Sequence, residues 1–155
     1  MRLLFYSVKL TVFLLLLASA VISCRRLETE SEKTMQTLPS RWYSAAQVAQ
    51  GQQVFAANCA SCHGEFAQGL VEDWKAKLAD GAFPPPPLDG SAHAWHHPLS
   101  VLMGVINDGG VALGGNMPGF QSTLTEQEKL AVIAFFQNYW SDEIYSNWLK
   151  MGGDN

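Results

Sequence analysis

Cysteine is scarce in this chain: there are three in 155 residues, Cys24, Cys59 and Cys62. With one Cys-x-x-Cys spacing and no second pair, a four-cysteine zinc site cannot be assembled, and a disulfide framework has little to work with. Charge is sparse as well, 15% of residues, and the 10 basic side chains are outnumbered by 14 acidic ones. No basic patch or stripe is present, which argues against nucleic acid as a partner. No apolar run is long enough for a comfortable membrane span. No stretch alternates convincingly as a strand must, so the βαβ setting of a thioredoxin-like Cys-x-x-Cys is missing too. The length supports one core, and the plentiful Trp and Phe suit a domain packed around something large and apolar.

The chain opens with Met1-Arg2 and an apolar run from Leu10 through Ile22. About a dozen apolar residues suit a signal-peptide core rather than an anchor. The run closes at Val21-Ile22-Ser23-Cys24, which looks like the lipobox of bacterial lipoproteins, where Cys24 is lipidated and becomes the new N-terminus. Ordinary cleavage with Cys24 as an incidental thiol is the alternative. Loss of Arg2 and Lys9 with residues 1–23 leaves 8 basic against 14 acidic residues, near −6. Such a surface favours docking against a basic protein face. Residues 24–43 are mostly polar or charged and read as a flexible tether, about 25 Å long as a coil. The expected location is the bacterial cell envelope, lipid-anchored and facing the periplasm, with the leaflet left open.

The decisive signal is Asn58-Cys59-Ala60-Ser61-Cys62-His63-Gly64. A Cys-x-x-Cys-His run attaches haem through two thioethers, and its histidine becomes the proximal iron ligand. One helical turn sets both thiols under the vinyl groups, and the next residue offers an imidazole to the iron. A structural disulfide between Cys59 and Cys62 would leave His63 without a role. The implied cofactor is one covalent haem c.

The second axial ligand is expected downstream, in Gly114-Gly115-Asn116-Met117-Pro118-Gly119-Phe120. Glycines permit close backbone approach, and Pro118 stiffens the loop presenting the Met117 thioether. Methionine is ordinarily core material, but a loop methionine in a glycine-rich run followed by proline is poorly placed for that. His93, His96 and His97 form a second cluster. One could replace Met117, or the group could bind a separate metal. The favoured reading has them line the haem edge or hold propionates, with Trp95 packed nearby.

Ser44 with Gln47, and Thr125 with Glu128, make capping boxes for two helices. Val48, Gly51, Phe55 and Cys59 recur at helical spacing, carrying the first helix into the haem motif. Gly51 leaves a notch for a bulky ring of the second helix, whose stripe of Val132, Phe135, Phe136 and Tyr139 is expected in the core. Shorter helices are expected over Val71–Ala79, Leu99–Asn107 (stopped by Gly109-Gly110) and Ser141–Lys150, with Pro84–Pro87 outside any helix interior.

With these motifs in place, residues 44–140 resemble a bacterial class I (monohaem) cytochrome c. The resemblance rests on Gly51-x-x-x-Phe55-x-x-x-Cys59-x-x-Cys62-His63-Gly64, Pro87-Leu88-Asp89-Gly90, Asn116-Met117-Pro118 and Leu124-Thr125-Glu126-Gln127-Glu128. It implies an all-α fold wrapped around one haem, here over residues 44–150, with first and last helices crossing and Gly51 and Phe55 meeting Phe135. It also implies that a carbonyl of Pro86 or Pro87 accepts from the His63 ring. The implied function is single-electron transfer, not catalysis, between redox proteins: a donor dehydrogenase or respiratory complex and an acceptor oxidase. The alternative is a haem-based sensor or enzyme with an exchangeable or histidine sixth ligand.

Overall fold

The computed structural model describes residues 40–155; the leader, Cys24 and most of the tether lie outside the described residues. Among the described residues five α-helices make the framework: α1 (Ala45–Asn58), the single turn α2 (Ala60–His63), α3 (Leu99–Asp108), α4 (Glu126–Gln137) and α5 (Asp142–Lys150). Among the described residues the only β pairing is an isolated bridge between Phe83 and Gly115. The fold is all-α, as expected. No described helix is long and apolar enough to cross a membrane.

Both capping boxes form. Ser44 accepts from the Gln47 amide while the Gln47 side chain takes the Ser44 N–H. Thr125 and Glu128 do the same for α4. Each box satisfies two of the amides that a helix start leaves without partners. Helix α3 stops at Gly109, whose φ of +82° suits glycine.

The core lies where α1 crosses α4. A Cβ on Gly51 would overlap the carbonyl oxygen of Ala131 and lie 2.9 Å from Phe135 Cβ. The notch therefore receives the backbone of α4 itself, closer than the aromatic ring expected there. Phe55 and Phe135 then pack with ring centroids 5.0 Å apart, alongside buried Val132, Ile133 and Phe136. Burying each such side chain contributes about 1.5–3 kcal/mol.

Four expectations need correction. Residues 71–79 form turns rather than a helix. Asp73 accepts from the Lys75 amide, and Val71 and Leu78 stay exposed, so a helix there would have no apolar face to bury. Tyr139 is 40% exposed, because α4 ends at Gln137 and the stripe loses its helical register. Helix α1 stops at Asn58, and the haem motif occupies its own turn. Finally, Arg41, Trp42 and Tyr43 belong to the domain rather than to the tether. Arg41 bonds the Trp140 carbonyl (3.0 Å) and Asp142 (2.8 Å) and lies over the Tyr145 ring. The Trp42 indole donates to Gln137 at 2.7 Å, and the Tyr145 hydroxyl accepts the Trp42 N–H at 2.9 Å. At the other end, Gly153 O accepts from Leu99 N at 2.6 Å. These contacts join positions far apart in the chain, beyond the reach of local periodicity.

Gly51→Ala should lower the unfolding free energy by about 1–3 kcal/mol or more, since the added methyl meets backbone that cannot turn aside. Chemical denaturation compared with an exposed α1 control such as Gln52→Ala measures this, and a change within error would mean that the crossing yields.

Candidate functional site

The turn that carries the Cys-x-x-Cys-His run is built on backbone bonds. Cys59, the last cap of α1, donates to Phe55 O at 2.8 Å; Cys62 N and His63 N both donate to Cys59 O, at 3.1 and 2.9 Å. Cys59 is half-buried, Cys62 exposed, and both thiols are free. Burial, and secondarily the neighbouring Cys62, pushes the Cys59 thiol up to about 11. An environment that so disfavours a thiolate suits an uncharged sulfur such as a thioether.

His63 is 7% exposed, and its Nδ1 lies 2.9 Å from the Pro86 carbonyl oxygen. A carbonyl only accepts, so Nδ1 carries the proton and Nε2 keeps a free lone pair. Burial holds the His63 pKa below its ordinary value, against the pull of the Pro86 bond. The neutral ring is the form that ligates a metal, and the bond at Nδ1 fixes its orientation.

Pro86 is held in turn. Leu88 N and Asp89 N both donate to Ala67 O, at 2.7 and 3.2 Å, while the Trp140 indole donates to Leu88 O at 2.8 Å. Ala67 is fully buried with φ +61°, a left-handed backbone costing about 1–2 kcal/mol in a non-glycine residue. Its twice-used carbonyl explains why that strain persists. Pro87 is buried and packs against Gly69, where an added Cβ would meet the ring at 3.1 Å. Neither Ala67 nor Trp140 is readable from sequence as a site residue, because each acts on groups distant in the chain.

Met117 sits half-buried against the core on a loop pinned to the end of α3. Gly110 N donates to Met117 O (2.9 Å), Phe120 N to Ile106 O (2.8 Å) and Gln121 N to Asn107 O (3.2 Å). The approach is close enough that a Cβ on Gly109 would lie 2.5 Å from Met117 O, and one on Gly119 2.6 Å from Asn107 O. Phe83 donates its amide to Gly114 O, and Phe83, Val111 and Leu113 bare apolar surface beside this loop. That is the kind of surface a porphyrin covers. A neutral oriented imidazole and two free thiols on one turn together fit haem.

The histidine cluster is engaged with neighbouring indoles. His93 stacks on Trp74 at 4.9 Å, and His96 stacks on the half-buried Trp95 at 3.8 Å. The His97 carbonyl accepts from the Trp148 indole at 2.9 Å. Among the described residues no three His, Cys, Asp or Glu side chains come together to hold a metal ion, so the separate metal site is not formed.

A family model described as cytochrome C oxidase, cbb3-type, subunit III matches residues 46–136, more than half of the chain. The chain belongs to this family. It is a c-type cytochrome domain with covalent haem c, and it transfers electrons. The match begins in α1 and ends in α4, so this cytochrome carries Arg41–Tyr43 and α5 outside the matched core. Two similar proteins are both named "Cbb3-type cytochrome c oxidase subunit CcoP" and both come from Rhodobacter capsulatus, the second from a specified strain of that organism. They are 68% identical to this chain over 31 residues and 58% identical over 36. These stretches cover 20% and 23% of this chain but 10% and 12% of the relatives. The chain thus spans about a tenth of the length of the curated relatives it matches. No solved structure matches it.

Gly109→Ala should release the loop of this cytochrome, because the new Cβ meets both a strained φ and the Met117 carbonyl. Amide hydrogen exchange at Gly110 and Phe120 should speed up by tenfold or more, the effect of losing roughly 1.4 kcal/mol of local protection. Unchanged protection would mean that the loop is not held by this contact.

Proposed function

We propose that this domain is a six-coordinate, single-electron carrier in which Cys59 and Cys62 form the thioethers and His63 Nε2 and Met117 Sδ hold the iron. The observation that carries the reading is the His63–Pro86 bond, which leaves a neutral imidazole one free nitrogen beside both thiols. When bound, the haem supplies a one-electron ferric/ferrous couple. The chain's part is to hold the imidazole in one orientation and to present a soft thioether that favours the ferrous state, raising the potential. With both axial positions filled there is no site for a substrate, so the domain acts as carrier rather than catalyst.

The similar proteins are named as subunits of a cbb3-type oxidase. On that likeness, electrons pass from a respiratory complex or dehydrogenase through this domain toward an oxidase. We place it on the periplasmic side of a bacterial envelope, bound to membrane by lipid on Cys24. The support for that location is the Val21-Ile22-Ser23-Cys24 sequence alone.

Two measurements test the two halves of this reading. In the purified holoprotein, the ferric form should show a weak red sulfur-to-iron band that Met117→Ala abolishes, and the ferrous form should not shift with carbon monoxide. A missing band, or ready carbon monoxide binding in the unaltered protein, would replace Met117 with histidine or an open position and move a sensor or enzyme role to the front. Separately, Cys24→Ser should end incorporation of labelled fatty acid and transfer the cytochrome from the membrane to the soluble fraction. Label retained in Cys24→Ser would place the lipid elsewhere.

A further inference from the structure

Lys129, in the first half of α4, is 6% exposed. Burying an ammonium group is costly unless it is paired, yet among the described residues no carboxylate lies within salt-bridge distance of it; the ion pair there joins Arg41 to Asp142. The Lys129 Nζ donates instead to the amide oxygen of Asn107, at 2.6 Å. Asn107 stands in the last turn of α3, where helix carbonyls carry partial negative charge that favours a cation. A charge-assisted bond of this length is among the stronger contacts a neutral acceptor can make.

Asn107 is also the residue on which the methionine loop rests. Its carbonyl accepts Gln121 N, its neighbour Ile106 accepts Phe120 N, and Gly119 approaches its carbonyl so closely that no side chain fits between. Just upstream in the same loop lies Met117, whose own carbonyl is held by Gly110, past the same helix end. One arm of the loop therefore hangs from the final turn of α3 and the other from Gly110 just beyond it, and Lys129 ties that turn to the core helix.

We propose that Lys129 is a positioning residue for the methionine arm of the haem site: through Asn107 it holds the end of α3 against α4 and so keeps Met117 in place. This rests on reading Met117 as the iron ligand. A lysine kept only for packing could be replaced by methionine, which has similar length and no charge to bury, with little loss or even a gain in stability. A positioning lysine could not, because the loop would then detach more often.

The test uses the holoprotein and the variants Lys129→Met, Asn107→Leu and Asn107→Asp, with Met117→Ala as reference. Lys129→Met should raise the rate of carbon monoxide binding to the ferrous form about tenfold, the increase in open population expected when one charge-assisted bond is removed. It should also weaken the red ferric band and lower the reduction potential. Asn107→Leu should do the same, and the double variant should add nothing further, as for two ends of one contact. Asn107→Asp keeps an acceptor, should fold, and should retain the band and the slow carbon monoxide rate. Wild-type band, potential and carbon monoxide rate in Lys129→Met would overturn the proposal, whatever happens to its melting temperature. So would a loss in Asn107→Asp as large as that in Asn107→Leu. If the band survives in Met117→Ala, the ligand assignment fails first and this proposal with it; that result is separable from the lysine variants.

Discussion

Helix α1 can lie against α4 only because position 51 has no side chain. The Ala131 carbonyl occupies the space a Cβ would take, and from that single approach the neighbouring contacts follow: Phe55 reaches Phe135, and Val132 and Phe136 are buried. The distance along α1 from Gly51 to its end then decides where the Cys59–His63 turn emerges. Along α4 the same crossing sets the height of Lys129 on one side and of Gln137 and Trp140 on the other. One end of α4 thus reaches toward the methionine loop through Asn107, and the segment just past its other end reaches toward the histidine through Leu88 and the proline run. The methionine loop and the proline run that holds His63 are thus tied to a common element, so their separation is a property of the core rather than of the loops.

Local signals are legible in the sequence because their physics is local. Ser44 with Gln47 and Thr125 with Glu128 close their boxes within one turn, and Gly109 stops α3 where its place in the sequence implies. The Cys-x-x-Cys-His run likewise spans a single turn. What sequence reasoning misses is whatever depends on distant partners. Ala67 gives no hint that its carbonyl serves two amides of the proline segment. Trp140 gives none that its indole will anchor Leu88. Val71–Ala79 carries a plausible helical composition, but nothing covers the apolar side chains of Val71 and Leu78, and the Asp73 turn prevails.

The histidines form a chemically suggestive cluster whose described contacts are with indoles and with one another. His93, His96 and His97 lie together in sequence; in the fold two of the rings stack on indoles, while the His97 ring meets His93 edge-on at 5.5 Å and its carbonyl takes the Trp148 indole N–H. Among the described residues the three imidazoles do not come together as a metal-binding group. The turn Ala94–His96 instead gives α5 something to close upon, with Trp148 bonding across it.

The clasp between Arg41-Trp42 and the Gln137–Tyr145 region joins residues 95 to 103 positions apart. A ribosome makes the chain from one end, so the segment bearing Cys59, Cys62 and His63 is complete well before the residues that close the domain exist. Contacts between such distant positions are also slow to form in any folding chain. Until they form, the two ends of the domain are free of one another, while the Cys59–His63 turn already rests on bonds to its immediate neighbours.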